Sequence, residues 1–473
     1  MRGHAQAGGT RSLGPPVRAE PGGVELPELL YPRSPNGAYY DERETWPRDR
    51  MQAFQLERIQ RQVAHAYQST LFYRRKLDRA GVRPEDIRTL DDIRRLPFTT
   101  KDELLTDQHE APLYGTVTGV PPELAQRLHF TSGTTGRPVN VLDTGNDFLG
   151  FYRSYARGLY GMGVRSDDVV MCAFGYGPWI GYWSGFHAAQ DVGCLVIPVG
   201  GMSTEQRIDI IEHYGVTVLG CTPSYALHMA ETAQKLGRDL SRSRIRITWH
   251  TGEAGAAIPS TRARIQEAFG ARVCDLPGLT EIAAWGFSCS EESGLDHIHE
   301  DYAYPEVLNV DTGERAAPGE TGELILTSLF RQALPLLRYR TRDIVRVADR
   351  RCSCGRTLFS IEGGVLARLD DMKKIRGVVV YPTQIEEVVR RYAEVAEFQV
   401  RIWRKGSLDE VTVLIDLGAA PPGQARQLEE RMEHDLRRAV GIRIDVQQVP
   451  PNSLPRWDHK ARRVRDERTE VPF

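Results

Sequence analysis

The sequence has almost no excess charge of either sign, and it has very little lysine. Its 473 residues carry 61 Lys and Arg against 63 Asp and Glu, which leaves a formal net charge of −2. A balance so near zero argues against a dedicated nucleic-acid binder. Because arginine stays charged and lysine is more easily neutralised, a lysine at a motif position is a stronger candidate for chemistry. The seven lysines are Lys76, Lys101, Lys235, Lys373, Lys374, Lys405 and Lys460.

Cysteine is also scarce, with seven residues that are mostly scattered along the chain. The first 25 residues contain no apolar core of the kind found in secretory signals, and we expect them to form a disordered leader. Together these features predict a reducing, cytoplasmic environment.

An uninterrupted apolar run of membrane-spanning length is missing, although one uncharged stretch is long enough to span a bilayer by length alone. Val169 to Gln190 contains no Asp, Glu, Lys or Arg, but Pro178 and four glycines interrupt it. We therefore expect a buried strand, a loop and the start of a helix, and no membrane span.

What the chain does contain is an alternation of strand and helix patterns across its middle. Residues 26–110 are predicted to be helical, and from about 125 to 365 short apolar runs alternate with helical stretches. After Asp370 the pattern changes to that of a small α+β domain of about 100 residues. We predict an α/β fold with a leader at 1–25, a large N-terminal multi-layer α/β domain with a β-rich subdomain at 26–369, and a small C-terminal α+β domain at 370–473.

The most informative segment has the sequence FTSGTTGRPV, at residues 130–139. Backbone N–H groups and hydroxyls between two glycines can surround a polyphosphate. It is not a Walker A loop, because no lysine follows Gly136. An ordinary Ser/Gly/Thr turn is the alternative. The candidate phosphate-binding residues are Thr131, Ser132, Gly133, Thr134, Thr135 and Gly136.

Three further motifs follow in order along the chain. They are GLTE at 278–281, YRTRD at 339–343 with RLDDM at 368–372 and IRG at 375–377, and LPRWDHK at 454–460. Each motif alone is weak, but four in order over about 330 residues are very unlikely by chance. The order resembles the adenylate-forming superfamily of acyl- and aryl-CoA synthetases, carrier-protein adenylation domains and luciferases.

Within that superfamily the chain is most similar to the phenylacetate–CoA ligases. The similarity lies in LFYR at 71–74, AGV at 80–82, LPFTTKDE at 96–103 and the stretch from 370 to 386. It covers nearly the whole chain beyond the first 25 residues. The resemblance implies that ATP is the nucleotide and that the C-terminal domain is mobile.

The resemblance also implies roles at the phosphate end of a nucleotide site. The loop at 131–136 would hold the β- and γ-phosphates, Glu281 would bind Mg²⁺, and Thr280 would lie near the α-phosphate. Joining two anions requires such a cradle of donors and cations. A surface carboxylate is the alternative for Glu281.

At the nucleoside end, the resemblance implies that Asp343 accepts hydrogen bonds from both ribose hydroxyls and that Arg368 supports the same sugar. Gly252, Glu253 and Ala254 would lie against adenine. The alternatives are a salt-bridged aspartate and a surface arginine.

Two residues are implied in the motion of the C-terminal domain. Asp370 matches the hinge of the superfamily, and Lys460 matches the lysine that reaches the site for adenylation and then swings away. One site would thereby carry out two half-reactions. A solvated lysine in a basic tail is the alternative for Lys460.

Two departures from the family pattern concern the nucleotide and its neighbours. Pro277 stands where relatives usually have an aromatic residue that stacks on the nucleotide, which puts adenine stacking in doubt, and Ala367 replaces a glycine. For the acid, Tyr176 and Trp179, together with Gly278, are candidates to line an apolar pocket. Plain core packing is the alternative for each aromatic residue.

A second site is predicted from cysteine and histidine spacing. Cys352 and Cys354 form a tight knuckle, and Cys289 and His297 lie upstream. Three thiolates and an imidazole make a tetrahedral, structural zinc site, and some phenylacetate–CoA ligase relatives carry zinc at matching positions. His299 is a rival ligand, and reduced cysteines packed as small apolar groups are the alternative.

The predicted activity is that of an AMP-forming, ATP-dependent aryl-acid–CoA ligase. The cofactors are ATP, Mg²⁺, coenzyme A as co-substrate and a structural Zn²⁺. The partners are a small aromatic acid, ATP and CoA, with no nucleic acid and no membrane, and a homodimer is compatible with the sequence. An enzyme that loads the pantetheine of a carrier protein is the first alternative, and a non-catalytic nucleotide-binding protein on the same fold is the second. The sequence leaves the identity of the acid open.

Overall fold

The computed structural model describes residues 37, 39–131, 138–175, 177–291, 294–405, 408–418, 425–456 and 461–468. Within these ranges, no helix combines the length and the apolar character needed to cross a membrane.

The chain begins with three helices, α1 (Arg48–Ser69), α2 (Leu71–Ala80) and α3 (Lys101–Glu110). Thr70 begins α2, and its hydroxyl accepts a hydrogen bond from the Tyr73 N–H. Thr100 and Glu103 form a reciprocal capping box at the start of α3. Such caps satisfy backbone donors that a helix end leaves free, so the sequence defines these helix starts locally.

A five-stranded parallel sheet forms the centre of the N-terminal unit (residues 39–368). A hairpin of β1 (Arg127–Phe130) and β2 (Asn140–Asp143) precedes it. The sheet has the order β4-β3-β5-β6-β7, and every pairing is parallel. The elements are α4 (Gly145–Gly161), β3 (Val169–Cys172), α5 (Ile180–Val192), β4 (Leu195–Pro198), α6 (Thr204–Tyr214), β5 (Val218–Cys221), α7 (Pro223–Lys235), β6 (Ile247–His250), α8 (Pro259–Phe269) and β7 (Arg272–Asp275).

A β-rich part follows, as the sequence predicts. After the short pair β8 (Gly278–Leu279) and β9 (Ala283–Ala284), six antiparallel strands form one sheet in the order β10-β11-β15-β14-β13-β12. They are β10 (Gly286–Ser288), β11 (Leu295–Ile298), β12 (Ala303–Leu308), β13 (Thr321–Ser328), β14 (Tyr339–Val347) and β15 (Ser360–Arg368).

The C-terminal unit (residues 373–468) follows a single 3₁₀ turn, Leu369–Asp371. Its four-stranded sheet has the order β20-β19-β18-β21, and it buries its own apolar cluster. The elements are β16 (Lys373–Ile375), β17 (Val378–Val380), α9 (Pro382–Val389), β18 (Glu397–Lys405), β19 (Leu408–Asp416), α10 (Ala425–Val440), β20 (Asp445–Gln448) and β21 (Val464–Asp466).

The α/β fold class with a β-rich part and a separate C-terminal unit is confirmed. In parallel sheets, ligands bind beyond the carboxyl ends of the strands. This edge of the sheet is therefore the place to look for a site.

Candidate active site

A cavity of about 410 Å³ lies at the carboxyl ends of the parallel strands. Phe174, Thr222, Thr251 and Gly278 follow β3, β5, β6 and β7 respectively, and all four line it. The opposite wall comes from β14 and from the turn after β15. The cavity thus brings together motifs that are separated by as much as 240 residues in the sequence. Its charged lining residues are Lys101, Glu281, Arg340, Arg342, Arg368, Asp370 and Arg462.

Glu281 is a buried carboxylate in this cavity, with 4% of its surface exposed. It lies in the turn between β8 and β9, and the Tyr339 hydroxyl donates a hydrogen bond of 3.1 Å to its Oε1. Burial, and then the charge of Glu281, raise the pKa of Tyr339 well above its usual value. The hydroxyl therefore remains protonated, and it donates to the carboxylate at any physiological pH.

Asp343 and Arg368 lie opposite each other in the register of β14 and β15. The Arg368 Nε lies 3.3 Å from Asp343 Oδ1, and only 4% of Asp343 is exposed. The nearby Asp343 charge raises the pKa of Arg368. The predicted ribose carboxylate and its supporting arginine therefore form one ion pair, in which Asp343 is buried and Arg368 is partly exposed and lines the cavity.

The predicted hinge residue, Asp370, is in the 3₁₀ turn that joins the two units, and it also lines the cavity. Its Oδ1 lies 3.1 Å from the Arg342 Nε, and its Oδ2 lies 3.8 Å from the Arg368 Nη2. The connection between the units is thus tied electrostatically to two arginines that line the cavity.

Aromatic side chains also line the cavity. Trp179 and Gly278, both predicted from the sequence, line it with Phe174, Tyr155 and Tyr182. The predicted pocket residue Tyr176 lies outside the described residues.

Tyr155 was not predicted from the sequence, because it lies on α4, far from any motif. Burial raises its pKa to about 12, and its hydroxyl is hydrogen bonded to Thr251. A Cβ added at Gly278 would lie 3.1 Å from that hydroxyl and 3.0 Å from the Ala283 carbonyl oxygen. The absence of a side chain at Gly278 thus lets β8 approach the Tyr155 hydroxyl closely.

Of the six residues predicted to bind phosphate, Thr131 is among the described residues. Thr131 lines the cavity, and its hydroxyl accepts a hydrogen bond of 2.9 Å from the Val139 N–H. Ser132, Gly133, Thr134, Thr135, Gly136 and Lys460 lie outside the described residues. Lys101, at the start of α3, also lines the cavity. The scarcity of lysine was a signal that could have singled out Lys101.

The predicted adenine segment is divided between two environments. Gly252 lines the cavity, as does Thr280 of the GLTE motif. The Glu253 carboxylate instead accepts hydrogen bonds from the backbone N–H groups of Ser224 and Ala461, each at 2.8 Å. Pro277 is buried. Its ring would lie 3.5 Å from a Cβ added at Gly286.

The predicted metal ligands form a second cluster, separate from the cavity. One ligand atom from each of Cys289, His297, Cys352 and Cys354 lies within 4.8 Å of the others. The pairing of β11 with β15 brings the two halves together. His299, the rival ligand, is instead buried against Phe287, with ring centroids 5.0 Å apart.

The surroundings of this cluster suit a metal ion. The Ser360 hydroxyl lies 3.0 Å from His297 Nδ1, which leaves Nε2 directed at Cys354 Sγ, 3.4 Å away. The backbone N–H of Glu291 donates to Cys289 Sγ at 3.5 Å, and that of Arg356 donates to Cys354 Sγ at 3.4 Å. Hydrogen bonds to thiolates, and a second partner for the histidine, are typical of structural zinc sites.

Comparison with known families gives two matches. The family described as "AMP-binding enzyme" matches residues 50–329, and that described as "AMP-binding enzyme C-terminal domain" matches residues 377–468. The second match falls within the C-terminal unit.

Individual relatives match over most of the chain. The phenylacetate-coenzyme A ligase of Thermus thermophilus is 37% identical over 448 residues, which cover 90% of this chain and 99% of the relative. The Escherichia coli phenylacetate-coenzyme A ligase is 36% identical, with 90% and 97% of the two chains covered.

Among solved structures, a 2-hydroxyisobutyryl-CoA ligase in its postadenylation state, in complex with an acyl-AMP, matches with a TM-score of 0.87 and 28% identity, over 94% of this chain and 95% of that one. The same enzyme with 2-HIB-AMP and CoA in the thioesterification state gives a TM-score of 0.71, over 93% and 95%. The described arrangement of this chain is thus more similar to the postadenylation structure.

Proposed function

The chain belongs to the AMP-binding enzymes, with the phenylacetate-coenzyme A ligases among its relatives, and on this basis we propose that it activates an aromatic carboxylic acid with ATP and transfers the acyl group to coenzyme A. The observation that carries the proposal is the composition of one cavity. Glu281 and Arg368, which pairs with the buried Asp343, line this cavity together with aromatic side chains.

In the first half-reaction, a carboxylate oxygen of the acid attacks the α-phosphorus of ATP. The bond from that phosphorus to the oxygen that bridges to the β-phosphate breaks, and pyrophosphate leaves. The product is an acyl-adenylate. Thr131 and the loop that follows it would hold the β- and γ-phosphates, with Thr280 beside the α-phosphate.

In the second half-reaction, the thiol of coenzyme A loses its proton and attacks the acyl carbon, and AMP leaves. Asp343 would hold the ribose throughout, because its buried carboxylate can accept hydrogen bonds from two hydroxyls. Lys460 would serve the first half-reaction alone and withdraw when the C-terminal domain, which we place at 370–473, turns about Asp370.

Glu281 is our candidate for holding Mg²⁺, because it is a buried carboxylate that accepts a hydrogen bond from Tyr339 at one oxygen and has further lone pairs that can bind a cation. When bound, Mg²⁺ would neutralise charge on the phosphates. The chain itself contributes the position of the carboxylate, which Tyr339 fixes.

We also propose one structural Zn²⁺ at Cys289, His297, Cys352 and Cys354. Four protein ligands complete a tetrahedral site and leave no open position, so the ion would serve stability. The seven cysteines are free thiols, consistent with our proposal of a reducing, cytoplasmic location.

The test is a screen of pyrophosphate release over aryl and aliphatic acids, each with and without coenzyme A. We expect aryl acids to be preferred, with AMP and a CoA thioester as products. Turnover that saturates with a carrier protein but not with free coenzyme A would favour the alternative acceptor. Absence of acid-dependent pyrophosphate release with every acid would contradict the proposal.

A further inference from the structure

One carboxylate connects the two units at the segment that follows Lys460. Glu253 lies beyond the end of β6 in the N-terminal unit. Its Oε1 accepts a hydrogen bond of 2.8 Å from the Ser224 N–H, in the first turn of α7. Its Oε2 accepts one of 2.8 Å from the N–H of Ala461, which is the next residue after Lys460.

The segment after Ala461 is fixed to the C-terminal unit. The Arg463 Nε donates to Glu397 Oε1 at 2.8 Å, and Arg463 Nη1 lies 3.6 Å from Glu386. Val464 to Asp466 then pair with β18 as β21. Arg463 must therefore move with the C-terminal unit, whereas Glu253 belongs to the N-terminal one. The bond from Glu253 to Ala461 crosses the boundary between them.

Other contacts cross the same boundary without touching this segment. The Ser260 N–H donates to Glu387 Oε2 at 2.9 Å, and the Arg264 Nη1 donates to the Val395 carbonyl oxygen at 2.9 Å. These contacts hold the two surfaces together, but neither reaches the sequence neighbours of Lys460.

We propose that Glu253 is a positioning residue for adenylation: it holds the backbone that follows Lys460 in the orientation of the first half-reaction, and it releases that backbone when the C-terminal unit turns toward thioester formation. This inference rests on the proposed function. It accords with the higher similarity to the postadenylation structure, a TM-score of 0.87 against 0.71. It also gives Glu253 a role other than the adenine contact expected from the sequence.

A carboxylate suits this role because it is an acceptor at two oxygens. Two backbone N–H groups, one from each unit, require two acceptors, and each bond to a charged oxygen is stronger than a neutral one. The two N–H groups reach different oxygens of Glu253, and in Glu253→Gln an NH₂ group replaces one of these oxygens, so one of the two bonds is lost in this geometry. Glu253→Ala removes both.

The experiment measures the two half-reactions separately in the full chain. Acid-dependent exchange of pyrophosphate into ATP reports adenylation, and CoA thioester formation from synthetic acyl-adenylate reports the second step. For Glu253→Ala we expect adenylation kcat to fall about 10- to 100-fold, the effect of losing a hydrogen bond to a charged group. We expect Glu253→Gln to have a smaller effect in the same direction. The KM for ATP and the thioester rate should stay within about 3-fold of wild type.

Glu387→Gln is the matched control. It makes the same chemical change at the same boundary, but its one bond across the boundary, to Ser260, can still be accepted by the amide oxygen. We expect near wild-type rates in both half-reactions. Equal losses in both steps for Glu253→Ala would indicate a merely structural role, and a raised KM for ATP with unchanged kcat would indicate an adenine contact. Either result, or no change, would overturn the proposal.

Small-angle X-ray scattering separates failure of this inference from failure of the proposed function, because it needs no substrate. We expect a larger radius of gyration for Glu253→Ala than for the wild type and for Glu387→Gln, as the C-terminal unit leaves its orientation more often. Identical scattering from all three proteins would overturn the role of Glu253, whichever acid the wild type activates.

Discussion

The contact between Glu281 and Tyr339 joins two motifs that lie 58 residues apart in the sequence. Tyr339 is buried, and its hydroxyl fixes one oxygen of the carboxylate. Glu281 also lines the cavity. Substitutions can therefore test the negative charge of Glu281 and the orientation of its carboxylate separately.

Glu281→Gln should lower kcat/KM for adenylation by about 100-fold or more, because the amide keeps the size of the side chain but loses the charge for Mg²⁺. Tyr339→Phe removes the orienting hydrogen bond and should cost only about 3- to 10-fold. Initial rates of pyrophosphate release over a range of Mg²⁺ concentrations measure both. A Glu281→Gln enzyme with a wild-type rate would contradict the assignment.

Asp275 and Asp296 form a buried acidic pair beside the parallel sheet. A Cβ added at Gly364 would lie 3.4 Å from an oxygen of Asp275 and 3.2 Å from one of Asp296. Burial, and then the charge of Asp296, raise the pKa of Asp275 to about 8. Since Ser288 donates to Asp296 at 2.8 Å, we expect Asp275 to keep the proton.

This pair predicts a pH dependence of stability. The folded chain keeps a proton on Asp275 between about pH 4 and pH 8, where the unfolded chain has lost it, so the free energy of unfolding should fall as pH rises through that window. In Asp275→Asn, the decrease in the free energy of unfolding between pH 5 and pH 8 should be smaller than in the wild type by about 1–3 kcal/mol. Urea unfolding at several pH values measures it. The exposed Asp167→Asn is the control, and an unchanged slope in Asp275→Asn would refute the prediction.

At this scale the sequence predicts charged residues better than neutral ones. Glu281, Asp343 and Arg368 could be found because each stands inside a motif. Tyr155 could not, because α4 carries no motif and its place in the cavity depends on packing against elements far along the chain. Glu253 was found for its motif, but its partner Ala461 lies 208 residues away.

The loop between β14 and β15, which carries Cys352 and Cys354, also contacts the N-terminal segment of the described chain. The Tyr39 hydroxyl donates to the Cys354 carbonyl oxygen at 2.9 Å, and Arg356 pairs with the buried Glu44 at 2.5 Å. A metal ion at the knuckle would therefore stabilise a junction of three chain segments.

The purified protein should contain about one zinc per chain, and Cys352→Ser combined with Cys354→Ser should abolish it. We expect the first thermal unfolding transition of the double variant to lie about 5–10 °C below that of the wild type. The order of preferred acids should stay unchanged. Elemental analysis and calorimetry measure these effects. Cys194→Ser, outside the cluster, should retain zinc. Full stability without metal would count against the site.

Elements with their own end signals are predicted well from sequence. The helix α6 is defined by local signals, because Ser203 caps its start and Gly215, at φ 62°, ends it. In contrast, β21 was not predicted. It consists of three residues in a basic stretch, and it forms by pairing in parallel with β18. Strands of this kind are defined by tertiary contacts and not by local pattern.

At the scale of the whole molecule, the two units share a single covalent connection, the turn Leu369–Asp371. Any change in their relative orientation must occur by backbone rotation near this turn. The φ angle of proline fits a 3₁₀ turn, and the proline ring prevents that angle from changing.

Asp370→Pro should therefore preserve adenylation and block transfer to coenzyme A. Acyl-adenylate should accumulate on the enzyme, visible as a single burst of pyrophosphate without thioester. Asp370→Ala is the control, because it removes the carboxylate that pairs with Arg342 and leaves the backbone free. Normal thioester turnover in folded Asp370→Pro would exclude the hinge.

The architecture of the whole molecule was predictable because strand and helix patterns alternate before Asp370 and change after it. The relative orientation of the two units was not. It depends on Glu253, Glu387 and Arg264, each of which contacts a residue more than 120 positions away.

The position of β21 in the chain has a consequence for protein synthesis. Ribosomes make the strands that form the cavity first, and residues 461–466 emerge after both sheets of the N-terminal unit and after β18, β19 and β20. Until this segment has been made, Arg463 cannot pair with Glu397, and Ala461 cannot donate to Glu253. A nascent chain can therefore fold its nucleotide cavity well before it can use it, which would delay consumption of ATP until translation has passed β21.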